Sequence, residues 1–322
     1  MRVLVTGGAG YIGSVTVEQL VERGDDVTVL DDLSSGHAEA VIEGGELVRG
    51  DLVDPEAVSA ALGAGFDAVV HFAAKALVGE SVREPELYRR VNVDGSRNLL
   101  AAMRDAGVGR IVASSTAAVY GEPERVPIDE DAPTEPLNPY GATKLAVDEM
   151  LAAEAEEGGL ATASLRYFNV AGASARFGED HDPETHLVPL ILAAAAGARP
   201  QLEIYGTDYP TEDGTAVRDY VHVSDLARAH LLALDALDEG GHRVFNLGSG
   251  SGYSVREVVG AAERELGVEI EKAERERRPG DPAVLVASAD RIERELGWRP
   301  ERELEEMIAS AWAFMQAHPG GY

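Results

Sequence analysis

Cysteine is absent from the 322 residues, which rules out disulfides and thiolate metal sites, and no metal is expected. Lysine is nearly absent as well. Only Lys75, Lys144 and Lys272 occur, and arginine supplies the remaining positive charge against 57 acidic residues, for a net charge of −29. A polyanion would be repelled by such a field without a basic stripe, so nucleic acid is not an expected partner. The acidic residues read as a solvated surface. No apolar run approaches the roughly 20 residues needed to cross a bilayer, so no membrane association is expected. Glycines break the first apolar stretch directly after Val5, unlike a signal peptide, and the cytoplasm is the expected location. Internal repeats and low-complexity tracts are also missing.

What remains is an ordinary globular composition, 45% apolar and 26% charged, in a chain long enough for two unequal lobes. Short β-branched runs at Val3–Thr6, Asp26–Asp31, Glu46–Arg49, Ala68–Phe72, Arg110–Ser114 and Thr162–Tyr167 read as strands. Helical patterns at Ser14–Arg23, Pro55–Leu62, Pro85–Ala106 and Tyr140–Glu156 alternate with them. This rhythm predicts an α/β fold with a doubly wound parallel sheet of the Rossmann type, covered on both faces. After Asn169 the rhythm breaks. Helices are expected near 186–197, 224–238, 255–266 and 302–316, with short strands near 202–205, 243–247 and 268–273. The expected division is a dinucleotide-binding domain over 1–169, with returning segments near 221–246, and a smaller mixed α/β substrate lobe over 170–322.

Two motifs carry chemistry. Thr6-Gly7-Gly8-Ala9-Gly10-Tyr11-Ile12-Gly13 lies between a strand and a helix. Missing side chains there let a pyrophosphate approach the backbone, and the helix start adds partial positive charge, so Gly7, Gly10 and Gly13 are expected to hold a dinucleotide. Asp31 ends the second strand, where a carboxylate accepts from the adenosine ribose hydroxyls and repels a 2′-phosphate. Asp32 adds a second negative charge, and no arginine follows in Leu33–His37, so NAD is expected rather than NADP. In the second motif, Tyr140 and Lys144 stand four apart on a predicted helix and share a face. A tyrosine with a pKa near ~10 needs help to act as a base, and a neighbouring ammonium favours the phenolate. Ser114-Ser115-Thr116 at the end of the fifth strand adds hydroxyls to this pair.

With these motifs the chain resembles the extended short-chain dehydrogenase/reductase family, most closely its UDP-glucose 4-epimerase branch. The likeness runs through Gly7–Ser14, His71–Ala74, Ser114–Gly121, Tyr140–Lys144, Leu165–Asn169, Gly248–Gly252 and, most distinctively, Tyr205–Leu226. It implies an NAD-dependent isomerase that inverts C4 of a UDP-linked sugar through a transient 4-ketone. Tyr140 would be the base, Thr116 would bond the 4-oxygen, and Lys144 would bind the nicotinamide ribose. Threonine stands at Thr116 where the family usually has serine, and the hydroxyl is kept. Further cofactor contacts implied by the resemblance are Tyr11, Ile12, Leu33, Ser34, Ser35, Gly36, Asp51, Leu52, Phe72, Ala73, Ala74, Lys75, Ala76, Asn92 and Phe168. On the substrate side it implies Asn169, His186, Leu187, Glu203, Ile204, Tyr205, Arg218, Arg278, Asp281 and Leu285, besides Thr116 and Tyr140. Arg218 and Arg278 are the arginines a diphosphate needs in so acidic a chain, with Asp281, after the Pro279-Gly280 turn, available to ribose hydroxyls. Tyr205 would lie against the uracil.

Sister reactions read less well. Nucleotide-sugar 4,6-dehydratases carry an Asp-Glu pair directly after the hydroxyl residue, whereas Ala117 and Ala118 have methyl groups that cannot eliminate water. Uronic acid epimerases and decarboxylases need a cation for the sugar carboxylate, and none stands out. A non-catalytic NAD-binding regulator would be expected to have lost Tyr140 or Lys144. Leu285 stands where this family gates sugar size and is intermediate in bulk, so some activity on UDP-N-acetylglucosamine is expected. A homodimer through the helices near 85–106 and 140–156 is the family expectation.

Overall fold

Strand β1 (Arg2–Thr6) is the spine of the molecule, and Val3, Leu4 and Val5 are fully buried because helices cover both of its faces. In the computed structural model, which describes residues 1–237, 240–278 and 280–322, β1 is flanked by two parallel strands. These are β2 (Asp26–Asp31) on one side and β4 (Ala68–His71) on the other, with β3 (Gly45–Arg49) outside β2. β5 (Arg110–Thr116) and β6 (Ala161–Tyr167) continue beyond β4. The chain then leaves the sheet for β7 (Asn169–Ala171), β8 (Leu202–Tyr205) and β9 (Val217–His222), and returns as β10 (Gly241–Leu247) beside β6. The resulting seven-stranded sheet has the order β10-β6-β5-β4-β1-β2-β3. Its order reverses beside β1, and in such sheets ligands bind at the carboxyl edge near that point.

Helices Tyr11–Arg23 and Val223–Asp235 bury Val17, Leu20, Leu226, Ala229 and Leu234 against one face. Helices Pro55–Leu62, Gly95–Ala106 and Pro139–Gly158 bury Val58, Leu62, Leu99, Met103, Val147 and Leu151 against the other. The remaining strands form a smaller body. β7, β9, β11 (Gly252–Ser254) and β13 (Val284–Leu285) make one sheet, and β8 pairs with β12 (Lys272–Arg275). Their apolar core joins Ile191, Leu192, Ile204, Val258, Val259, Met307 and Ile308.

The first helix starts at Tyr11, three residues before the expected Ser14, because the glycine turn is itself its entry. The expected continuous helix over Pro85–Ala106 is interrupted by a π-helical turn at Arg89–Asp94. There the buried Asn92 amide is drawn out of the helix to bond the backbone of Lys75 and the Thr143 hydroxyl. The strand expected near 268–273 begins only at Lys272. Gly267 ends the preceding helix at φ 65°, and Glu263 captures the Ile270 amide at 2.9 Å, holding the intervening residues in a turn. β9 has no apolar alternation to announce it. Its central Asp219 is fully buried and accepts from the backbone of Ser249, Gly250 and Ala287. The expected helix over 224–238 ends at Asp235, and residue 238 lies outside the described residues.

One carboxylate ties the carboxyl-terminal segment to the sheet. Asp225, fully buried on helix Val223–Asp235, accepts from the amides of Glu301 and Arg302 at 2.9 and 3.0 Å and from the Arg302 guanidinium. Its own backbone oxygen receives the indole N–H of the fully buried Trp298. Asp225→Ala leaves two part-buried amides and the partly exposed Arg302 guanidinium without this acceptor, and is expected to lower the unfolding free energy by about 2–3 kcal/mol. Urea unfolding of parent and variant measures it, and a loss under about 1 kcal/mol would remove Asp225 from this role.

Candidate functional site

The carboxyl ends of β1, β4, β5 and β6 bring Thr6, His71, Thr116 and Tyr167 to one edge. The glycine turn is built there for close approach. Gly7 has φ +72°, and a Cβ on it would sit 2.5 Å from the Ala73 amide. A Cβ on Gly13 would lie 2.1 Å from the Gly7 carbonyl, so only hydrogen lets the helix settle onto the turn. Gly10 is the N-cap and contributes no side-chain cap, and a Cβ there would meet only the Gly7 oxygen, at 3.5 Å. First-turn amides are therefore left to an incoming anion. The Tyr11 side chain turns away and donates to the Gly172 carbonyl at 2.6 Å, so its backbone is the part near the turn.

Asp31 is buried behind this turn, its oxygens accepting from Ala9 N at 3.0 Å and Leu33 N at 2.9 Å. Burial raises its carboxyl while the two amides pull it back. Leu33, at φ 60°, swings the chain so that Ser34, Ser35 and Gly36 run beside the glycine turn, and Lys75 Nζ reaches Ser34 Oγ at 3.4 Å. Phe72, Ala73 and Ala74 line the same edge after β4. Two expected contacts also have partners within the chain. Asn92 spends its amide on Lys75 and Thr143, and thus positions the loop carrying Lys75. Asp51 is exposed and bonds Val53 N, closing the turn before the buried Leu52.

Pro139 opens helix Pro139–Gly158, and the Asn138 side chain caps it at Gly141 N. A Cβ on Gly141 would stand 2.5 Å from the Ala118 oxygen, so glycine lets the helix start press onto the turn after Thr116. This approach places Tyr140 beside Thr116. Burial pushes the Tyr140 phenol up to about 12, and a hydrogen bond with Thr116 pulls in the opposite direction. Lys144, buried one turn on, donates to Ser114 Oγ at 2.8 Å and not to the phenol. Burial lowers its ammonium to about 8, against the opposing pull of Asp148. Asp148 is itself buried and accepts from Arg166 Nε at 3.0 Å and Ser115 Oγ at 3.1 Å, while Arg166 also reaches the Tyr120 hydroxyl. This ion pair was not singled out in the sequence, where Asp148 offered only its i+4 spacing from Lys144. His71 is locked between Thr6 and Ser96, and burial and then Lys144 hold it neutral, near 3.

Across the edge, Arg218 on β9 pairs with Asp281, which leaves the Asp281 carboxylate engaged with a cation and not free. The exposed Arg278 lays its guanidinium 4.2 Å from the centre of the Tyr205 ring, whose hydroxyl donates to Glu203. Pro279 lies outside the described residues. Leu285 on β13 packs in the cluster that holds Ala117, Tyr120 and Phe168, and so borders the end of β5. Asn169 and Ile204 sit on β7 and β8, and Leu187 begins the following helix. His186 is not free: its Nδ1 lies 2.7 Å from Glu179 and 3.0 Å from Glu184. Burial disfavours its charge, but the two carboxylates outweigh that and raise it to about 10.

The buried ammonium has a stability consequence. A lysine lowered from 10.5 to about 8 carries roughly 3 kcal/mol of strain against its charged form at neutral pH. Between about pH 8 and 10.5 the folded chain binds fewer protons here than the unfolded one, so stability rises with pH across that window. Lys144→Met is therefore expected to stabilise the nucleotide-free chain by 2–3 kcal/mol (approximate) at pH 7, an advantage that shrinks towards pH 10.5. Denaturant unfolding of both proteins at several pH values tests this, and a pH-independent difference would contradict it.

This geometry has close counterparts. UDP-glucose 4-epimerase of Corynebacterium glutamicum is 52% identical over 318 residues, covering 98% of this chain and 96% of the relative. The crystal structure of UDP-glucose 4-epimerase from Brucella ovis in complex with NAD superposes with a TM-score of 0.94 at 46% identity, covering 97% and 98% of the two chains. That of the Bifidobacterium longum enzyme in complex with NAD+ and UDP gives 0.96 at 37% identity, with both chains covered in full. A sequence profile of the NAD dependent epimerase/dehydratase family matches residues 3–248. The chain belongs to the NAD dependent epimerase/dehydratase family.

Proposed function

We propose that the chain interconverts UDP-glucose and UDP-galactose by inverting C4 of the sugar with bound NAD. The observation that carries this reading is the placement of Tyr140 against Thr116, with Lys144 held on Ser114, at the sheet edge that also bears the glycine turn. Full-length likeness to UDP-glucose 4-epimerases supports the substrate class.

The residues fit NAD. The open space over Gly10 and the uncapped helix start suit a pyrophosphate, and buried Asp31 keeps lone pairs for ribose hydroxyls beside its two amides. Tyr11 and Ile12 would contribute backbone amides, Asp32 through Gly36 and Leu52 the adenosine side, and Phe72 through Ala76 with Phe168 the floor. When bound, NAD supplies the acceptor and then the donor of the hydride at C4. Tyr140, as the phenolate that the positive charges of Lys144 and of bound NAD+ would favour against the cost of burial, takes the proton of the 4-hydroxyl and returns it to the same oxygen once the ketone has presented its other face. Thr116 Oγ1 bonds that oxygen and keeps it within reach of the phenol. Lys144 keeps a positive charge near the phenol and offers donors to a ribose. Ala117 and Ala118 bring no acid or base, so the ketone cannot lose water to this chain and is only turned.

Arg218 and Arg278 would meet the diphosphate, Tyr205 the uracil, and Asn169, Leu187, Glu203 and Ile204 the rest of the nucleotide side. The reading includes a division between a dinucleotide-binding part, 1–169 with returning segments near 221–246, and a substrate lobe over 170–322. It also includes a cytoplasmic homodimer through helices Gly95–Ala106 and Pro139–Gly158, whose outer turns Arg104 and Glu154 bridge. Among the described residues no helix is long and apolar enough to cross a membrane.

Tyr140→Phe is expected to lower kcat for UDP-galactose by about 10²–10⁴-fold with KM changed only a few-fold. A coupled assay of UDP-glucose formation measures it, and an undiminished kcat would defeat the mechanism. Leu285 borders the sugar end, and the parent is expected to turn over UDP-N-acetylglucosamine as well. Leu285→Tyr should cut that activity about 10-fold or more while sparing UDP-glucose, by filling the space the acetyl group needs. Equal loss on both sugars would deny Leu285 the role.

A further inference from the structure

The loop between β7 and helix Leu187–Ala195 gathers four metal-ligating side chains that the proposed reaction does not use as a group. One donor atom each from Glu179, His181, Glu184 and His186 lies within 4.8 Å of all the others. Glu179 Oε1 is 2.7 Å from His186 Nδ1 and 3.1 Å from His181 Nδ1. Glu184 is 3.0 Å from His186 Nδ1 and 3.8 Å from His181 Nδ1. Four-coordinate zinc with nitrogen and oxygen ligands at about 2.1 Å has ligand-to-ligand edges of about 3.4 Å. The observed separations bracket that edge, so small side-chain shifts would close the site.

The loop is pinned so that these four side chains face one another. Asp180, which lies between Glu179 and His181, points elsewhere: its carboxylate accepts from Tyr322 N at 3.0 Å, and its carbonyl is 3.1 Å from His37 Nε2. Gly178 N donates to the Tyr322 hydroxyl at 3.0 Å. Tyr11 stands edge-on to the His181 ring, with centroids 6.3 Å apart, and forms a wall towards the glycine turn. Glu179 is the deepest member, its side chain 8% exposed.

We propose that Glu179, His181, Glu184 and His186 bind a divalent transition-metal cation of the zinc class. Two carboxylates carry two negative charges, which such a cation balances once it displaces the proton that His186 Nδ1 shares with Glu179 and Glu184, leaving both imidazoles neutral as ligands. Imidazole donors favour zinc and its neighbours, whereas magnesium and calcium prefer oxygen ligands throughout. No cysteine is needed, and the spacing of two, three and two residues matches no common zinc motif. The cation would fasten the segment leading into helix Leu187–Ala195 beside the helix that carries the glycine turn.

Zinc content and affinity of the full chain test this, after chelator treatment and back-titration with zinc alone. The parent is expected to take up about one zinc per chain and to melt at higher temperature with zinc. His181→Gln and Glu184→Gln, each checked for far-ultraviolet dichroism like the parent's, should each weaken binding by at least about 10-fold and abolish the shift. Zinc uptake that is equal in parent and variants marks an adventitious ion only and overturns the proposal. So does the absence of saturable uptake by the parent, which leaves the four residues as a salt-bridge cluster.

Discussion

Everything at the sheet edge depends on one close approach, that of Gly141 to the Ala118 carbonyl. A side chain at that position would stand 2.5 Å from the oxygen and about 3.0 Å from Pro136, and neither neighbour is a flexible chain end that could yield. Because the contact is backbone on backbone, it fixes the start of helix Pro139–Gly158 against the turn that follows β5. Tyr140 is the next residue along, so its phenol meets Thr116 by construction and not by a choice of rotamer alone. The Asn138 cap and Pro139 hold the same turn from the outside. Constraint from both sides is what a reacting pair requires, since misplacement by an ångström weakens proton transfer.

The same helix carries the electrostatic cost of the site. Lys144 is buried, and its charge is disfavoured by burial, yet nothing apolar of similar volume could hold a hydroxyl of Ser114 or a ribose. The chain tempers that cost from below. Asp148, one turn further, pulls towards the charged form, and is itself kept from becoming a lone buried anion by Arg166 and Ser115. The arrangement is a ladder from hydroxyl to ammonium to carboxylate to guanidinium, in which each buried charge has a partner. His71 and His230 flank it and are held neutral, by burial first and Lys144 second among the charges acting on them, so they add no competing positive charge.

Legibility in the sequence followed the physics of each element. Strands β1, β2 and β4 are buried on both faces, so their apolar runs announce them. Helices Pro55–Leu62 and Gly95–Ala106 carry an apolar stripe. The glycine turn and the Tyr140/Lys144 spacing are likewise local patterns, readable because their geometry is set within a few residues. What stayed hidden depended on distant partners. β9 is organised around buried Asp219, a residue whose polarity argues against a strand until Ser249, Gly250 and Ala287 come to meet it. The π turn at Arg89–Asp94 exists because Asn92 finds Lys75 and Thr143, 17 and 51 residues away.

The scarcity of positive charge shapes the substrate side in a further way. Arginines near that edge are already matched by acids: Arg218 by Asp281, Arg275 by Glu203, and Arg277 by Asp208. Arg218 is the most buried of these, its side chain 12% exposed, so it could not stand unpaired without a desolvation penalty. In the proposed reaction a diphosphate would therefore compete with a resident carboxylate for a cation, exchanging one anion for another. Such an exchange keeps the guanidinium paired in both states, and the arginine needs no rearrangement to receive a substrate. In that reading Arg218 is held in a neutral pair that would open to a stronger acceptor, whereas Arg278, resting on the Tyr205 ring, would meet the diphosphate without displacing an acid.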